Sequence, residues 1–268
     1  MNNNTENKSI AQTSDICAEL DNIETGAAPS SSATGTNAGA SPTRTQEAIK
    51  REKSKKTVRF ITGIGVFSAL AYLTTCICKL IPNVAGFLSI DAKDAVIAIA
   101  SFIYGPLAAP IIALITSFIE FVSISETGIW GMVMNFVSST AFSLTAALIY
   151  RFRKSFNTSV IGFGVATVIT TAVMVALNPI IVPLYSGASR EMVVSMIPGI
   201  LLPFNFAKTL MNSAIAILLY KPVINALRAA GLVKKSEHKT VFNKISVLTI
   251  SIGLAALITA LVILLIIW

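Results

Sequence analysis

Charge is what this sequence has least of: Asp, Glu, Lys and Arg make up only 13% of its 268 residues, against 54% hydrophobic residues. A soluble domain of that length needs far more polar surface to cover its core, so soluble α/β and all-β architectures are excluded. Histidine occurs once, as His238 in a basic stretch, and the three cysteines, Cys17, Cys76 and Cys78, have no zinc-type spacing. Cys76 and Cys78, two apart in an apolar block, point in different directions and read as buried free thiols. Also missing are the G-x-x-x-x-G-K-[ST] phosphate loop, the H-E-x-x-H helix and the G-x-S-x-G elbow. Catalysis is left without a nucleophile–base pair or a metal cluster. Active transport, if the chain takes part in it, needs a partner to supply the energy.

What is present is apolar sequence in blocks of roughly 20 residues, the length a helix needs to cross a bilayer. The blocks predict spans at about 58–81, 107–122, 129–150, 160–181, 197–220 and 245–268. A shorter helix at 91–104 is opened by Asp91 as N-cap and stopped by Tyr104-Gly105-Pro106. It falls short of the hydrocarbon layer, so one end of it, or the loop before it, must lie inside the protein body. With that helix counted as the second of seven spans, Asn178-Pro179 is expected to break the end of the fifth, 160–181. The fold class is therefore an all-α, polytopic membrane helical bundle.

Residues 1–43 are rich in Asn, Ser, Thr, Ala and Gly and lack apolar periodicity, which predicts a disordered tail. The tail has no apolar core of the kind a signal peptide needs, which leaves the N-terminus in the cytoplasm. Residues 44–59 form a basic juxtamembrane segment and 229–244 a basic cytoplasmic linker. Lys and Arg gather before the first span, after the fourth and after the sixth, and only Lys79, Lys93 and Arg190 fall on the opposite side. The formal charge of +8 is thus read as topological rather than as a nucleic-acid patch. The first cluster also has some attraction for anionic lipid.

Polar groups at membrane depth are expensive and mark function. Away from the span ends, where Arg59 and Lys79 lie, Glu120 and Lys208 are the charged residues of the long spans so drawn. Asn205, Lys208 and Asn212, spaced i, i+3, i+7, share one helix face. Thr167, Thr171, Met174 and Asn178 form a stripe on the fifth span, and Asn135, Ser138 or Ser139, and Phe142 one on the fourth. Two plainer readings compete: Ser, Thr and Asn serve as interhelical glue, or Glu120 and Lys208 neutralise one another. On the first span Gly65 and Ala69, with Gly63 and Ser68 nearby, are small residues that let another helix approach, whether internal or a partner's.

At these residues the chain resembles the substrate-binding S-components of energy-coupling factor (ECF) transporters, most closely the riboflavin-specific branch. The resemblance covers about residues 58–235. It rests on Leu88-Ser89-Ile90-Asp91-Ala92-Lys93-Asp94, Phe102-Ile103-Tyr104-Gly105-Pro106-Leu107-Ala108, Gly131 to Phe136, and Asn178 before Pro183-Leu184-Tyr185. Pro203-Phe204-Asn205-Phe206-Ala207-Lys208 and Leu219-Tyr220-Lys221-Pro222 complete it. It implies a six-helix membrane domain at 60–228 that captures a vitamin from outside, with the helix at 245–268 an addition. It also implies a coupling transmembrane protein and two cytoplasmic ATPases as partners in the cell membrane. Riboflavin is the transported substrate and there is no cofactor; another vitamin (folate, pantothenate or a flavin precursor) or a membrane scaffold role are the alternatives. Carried over residue by residue, Asn178, Asn205 and Lys208 contact the flavin, and Gly65 and Ala69 meet the coupling protein. Asp94, Asn135, Glu120, Phe87 and Asn212 join the substrate set, Phe102, Phe136 and Phe204 are further slot candidates, and the loop 83–90 is a lid. The chain differs from the familiar pattern in Pro179, where an aromatic residue is usual, and in Ala113, where an acid is usual.

Overall fold

A computed structural model describes residues 42–81, 88–152, 156–229 and 244–267. Almost all of the 1–43 tail and of the 229–244 linker, Phe87 and most of the 83–90 loop lie outside the described residues. Every apolar block is helical. Helix α1 spans Pro42–Cys78, α2 Lys93–Tyr104, α3 Ala108–Ser123, α4 Gly128–Phe152 and α5 Phe156–Ser186. A short α6, Arg190–Ser195, and a π-helical turn, Ile197–Leu201, lead into α7, Leu202–Ala229, and then α8, Lys244–Ile267. The packing below lies within the compact unit Lys50–Trp268.

Among the described residues four stretches are long and apolar enough to cross a membrane: Lys50–Cys78, Gly128–Phe152, Asn157–Ser186 and Ile197–Tyr220. Ala108–Ser123 and Gly253–Ile267 are apolar but shorter. Leu73, Leu114, Phe118, Val168 and Leu265 are exposed on four different helices. An apolar exterior of this kind is suited to lipid, and the chain is a helical membrane bundle.

Helix α2 is the axle of the bundle. Its 12 residues reach about 18 Å, too short for a hydrocarbon layer of ~30 Å. It packs instead against α3, α4 and α7. Ala95, Ile97, Ala98, Ile99 and Ala100 are buried in one core with Phe67 of α1, Ile112 of α3, Phe142 of α4, Phe163 of α5 and Ile217 of α7. Apolar residues all round a helix require burial on every side, and the alanines let the neighbours come close. The helix stops where the sequence indicates. Gly105 takes φ 100°, a left-handed conformation that only glycine adopts cheaply, and its N–H still bonds Ser101 O at 2.9 Å.

Several local expectations are corrected. Helix α1 begins at Pro42, so the basic juxtamembrane segment is itself helical. Asp91 does not cap α2; the helix starts at Lys93 with Ala92 at the N-cap and no side-chain cap bond. Asn178-Pro179 does not break α5, which runs through Pro179 and Pro183 to Ser186. Ending a helix in hydrocarbon would strand backbone groups. The side chains of Asn178 and Ser186 also donate to Met174 O and Val182 O, at 2.7 and 2.8 Å. Cys76 and Cys78 are free but half-buried rather than buried.

Helices α4 and α5 approach closely at Gly162, where an added Cβ would lie 3.1 Å from Ala146 O. Backbone cannot yield as a side chain does, so Gly162→Val is expected to cost about 1–3 kcal/mol through overpacking. Thermal unfolding in detergent would register it as a lowered Tm, and an unchanged Tm would refute the tight approach.

Candidate functional site

The start of α2 brings an ionic cluster into the bundle. Asp91, Lys93 and Asp94 are all buried, although they sit at a helix end. Lys208 of α7 reaches Asp91 Oδ2 at 2.8 Å, and Lys93 reaches Glu120 Oε2 of α3 at 2.5 Å and Asp91 Oδ2 at 3.8 Å. The expected alternative, neutralisation of Glu120 by Lys208, is therefore corrected: each has its own partner from the α2 start. Asn135 of α4 donates to Glu120 Oε1 at 3.0 Å, and Ser139 to Asp94 Oδ1 at 2.5 Å. Buried charges persist only when paired and hydrogen-bonded, since desolvation otherwise outweighs their attraction.

Asn212 ties α7 to α2 from behind. Its Oδ1 accepts from the Ala95 N–H at 2.9 Å, and its Nδ2 donates to the carbonyls of Asp91 and Lys208 at 2.9 and 3.0 Å. That leaves the side chain no spare donor for a ligand, and Asn212 orients the Asp91–Lys208 pair rather than facing the cleft. Asp94 likewise lies behind the cleft, held by Ser139.

The cluster borders a cleft of about 70 Å³. Of the expected substrate set, Asn178, Asn205, Lys208, Asn135 and Glu120 line it; Asp94 and Asn212 do not, and Phe87 is not described. Asn178 and Asn205 donate to Met174 O and Leu201 O of their own helices, both at 2.7 Å. Apolar walls come from Leu88, Met134, Met174 and Phe204. Of the other aromatic slot candidates, Phe102 stacks on Tyr150 at the opposite end of α2, and Phe136 packs against the central core. The Thr and Ser stripes divide: Thr167 pairs with Ser213 and Thr171 with Thr209, so these are glue between α5 and α7.

Sequence reasoning missed Lys79, Ser89 and Tyr185, which also line the cleft. Lys79 Nζ donates to Ser89 Oγ at 3.4 Å. It also missed Asp91 and Lys93 as charge partners. The one signal for them was that α2 is too short to span, which obliges its end to lie within the protein. A second cavity, about 640 Å³, opens at the other end of α2 among Phe60, Phe102, Tyr104, Leu148, Tyr150 and Arg151. It is larger, but no amides or amines converge on it, and convergent polar groups rather than size mark a ligand site. Among the described residues no cluster of His, Cys, Asp and Glu is arranged to hold a metal ion.

Gly65 and Ala69 stand apart from the cleft, on the exposed face of α1. A Cβ at Gly65 would meet nothing within 4 Å. Gly63, two residues earlier, is buried, and a Cβ there would run into the Tyr104 ring. The small residues of α1 therefore serve two faces, one internal and one open.

Comparison with known proteins follows the same outline. A family model described as ECF transporter, substrate-specific component, matches residues 59–220. The chain is 32% identical over 177 residues to the riboflavin transporter RibU of Staphylococcus aureus (strain TCH60), covering 63% of this chain and 92% of that protein. It is 26% identical over 186 residues to the riboflavin transporter FmnP of Bacillus subtilis (strain 168), covering 65% and 97%. A solved structure described as the S component of a bacterial ECF transporter superposes with a TM-score of 0.55 at 30% identity, over 64% of this chain and 99% of its own.

Proposed function

This chain belongs to the family of ECF transporter substrate-specific components, and from that premise we propose that it captures riboflavin for ATP-driven uptake. Its work is recognition rather than catalysis, with a coupling membrane protein and two cytoplasmic ATPases providing the energy. The names of its relatives and the chemistry of the cleft both favour a flavin. The observation that carries the reading is the convergence of Asn135, Asn178, Asn205 and Lys208 from three helices on one apolar-walled cleft. A flavin presents ring carbonyls and nitrogens along one edge of a flat tricycle. Asn offers both a donor and an acceptor, Lys only donors, and Leu88, Met174 and Phe204 offer the tricycle apolar contact.

Lys208 illustrates how a neutral vitamin is held by a charged residue. Riboflavin brings no negative charge, so an unpaired ammonium beside it would be costly to bury. Asp91 balances that charge with one bond and leaves Lys208 further N–H groups for ring carbonyls. At about 70 Å³ the cleft is well below the roughly 300–1,000 Å³ of occupied ligand sites, so its walls part to admit cargo. The distribution of Lys and Arg favours a cytoplasmic N-terminus and a cleft opening to the outside. The open face around Gly65 and Ala69 fits the coupling protein, whose helix would need small residues to come close.

Riboflavin titration of the purified protein, followed by quenching of flavin fluorescence, tests the cargo. Saturable binding is expected. Absence of binding in a folded sample, with another vitamin from a panel binding in its place, would remove riboflavin.

A further inference from the structure

Helix α8 lies beyond residue 220, where the family match ends, yet it shares an apolar cluster with residues that line the cleft. It runs antiparallel to α7, and Gly253 faces Leu218 and Ala214. A Cβ at Gly253 would lie 2.9 Å from Leu218 Cγ and 3.6 Å from Ala214 O, so the Leu218 side chain is seated against the glycine. About three turns further on, Leu264 is buried in one apolar cluster with Leu88, Val182, Val193, Leu201, Phe204 and Ala207. Ile263 and Ile267 pack against the same cluster. Leu88 and Phe204 also line the cleft, and so does Tyr185, which packs on the cluster. These side chains thus belong both to the lining of the cleft and to the cluster that α8 joins.

We infer that α8 is a positioning helix for the vitamin cleft: Leu264, with Ile263 and Ile267, backs the Leu88–Phe204 wall and sets how slowly cargo leaves. The inference rests on the riboflavin reading of the same cleft. Its physical basis is the difference between lipid and packed protein. If the chain ended with the family match, acyl chains would lie behind this wall and would flow aside when it moves. A close-packed helix cannot, so opening the wall breaks side-chain contacts that must re-form on closing. Entry meets the same wall, so a looser wall speeds both steps, and the release rate reads the effect directly.

The test uses the full chain in lipid nanodiscs, comparing the parent with Leu264→Ala and Leu264→Met. Riboflavin release after dilution is expected to be about 10-fold faster in Leu264→Ala, with association also faster, and Leu264→Met to restore slow release. A second readout needs no cargo. In a background with Cys17, Cys76 and Cys78 replaced by Ser, Met134→Cys, at a buried position of the cleft lining, reports opening of the cleft through its rate of labelling by a soluble maleimide. Leu264→Ala is expected to raise that rate by about 10-fold. Should Leu264→Ala fail to fold, Ile267→Ala, at a half-buried position, is expected to give about a 3-fold change in the same direction. Release and labelling both within about 2-fold of the parent would overturn the inference. So would failure of Leu264→Met to rescue, since the effect would then be general loosening. A parent that does not bind riboflavin but still shows faster labelling in Leu264→Ala would remove the cargo and leave the role of α8 standing.

Discussion

Replacing Lys208 with Met is expected to weaken riboflavin binding by about 100-fold, since a hydrogen bond from a charged donor in a buried site contributes about 1.5–3 kcal/mol. The variant also strands Asp91, which is buried and ion-paired to Lys208 at 2.8 Å. Breaking one half of a buried pair costs about 3–5 kcal/mol of stability. Binding and folding would then fall together, and a second substitution is needed to separate them. In Lys208→Met with Asp91→Asn no lone charge remains, so Tm should recover toward that of the parent while the affinity stays low. Fluorescence titration and thermal unfolding of the four proteins in this cycle measure both quantities. Recovery of affinity in the double variant would mean that Lys208 only balances Asp91 and never touches the vitamin.

Gly65→Leu is expected to produce the opposite pattern. The residue is exposed, a Cβ there meets nothing within 4 Å, and the cleft lies elsewhere. Riboflavin binding by the isolated protein should stay within about 2-fold of the parent, because surface changes away from packed features rarely exceed about 0.5 kcal/mol. Uptake by cells that contain the coupling machinery should fall at least about 10-fold, because a bulky side chain holds apart two helices whose contact depends on small residues. Ala69→Leu, on the same face, should behave alike. Val168→Phe, on the exposed side of α5, should change neither quantity. Equal uptake in Gly65→Leu and Val168→Phe would move the coupling surface off α1.

Asn205 and Lys208 were legible in the sequence because polar residues at helical spacing in an apolar block are too costly at membrane depth to be incidental. Asn135 and Asn178 were legible for the same reason, and all four border the cleft. Asn212 shares the face of Asn205 and Lys208, but the third helical position turns inward and is consumed by the backbone of α2. Asp91 and Lys93 were hidden by the convention that charged residues between spans face water. They are buried because α2 is too short to reach the membrane surface and the chain enters it from within the bundle. Pro179 misled in a different way. In water a proline after Asn ends a helix, whereas in lipid the lack of alternative partners for the backbone keeps the helix going. The close seat of α8 was not legible at all, since an uncharged apolar segment with one glycine carries no record of which face meets which neighbour.

The ionic cluster at the start of α2 has an electrical consequence. Asp91, Asp94 and Glu120 are formally balanced by Lys93 and Lys208 of the cluster together with Lys79 of the cleft lining, and riboflavin adds nothing to the sum. Moving one elementary charge across a membrane at about 100 mV involves about 2.3 kcal/mol. A site with no net charge escapes that force, loaded or empty. If the chain carries a neutral vitamin as proposed, its passage between the two faces of the membrane is expected to be insensitive to voltage.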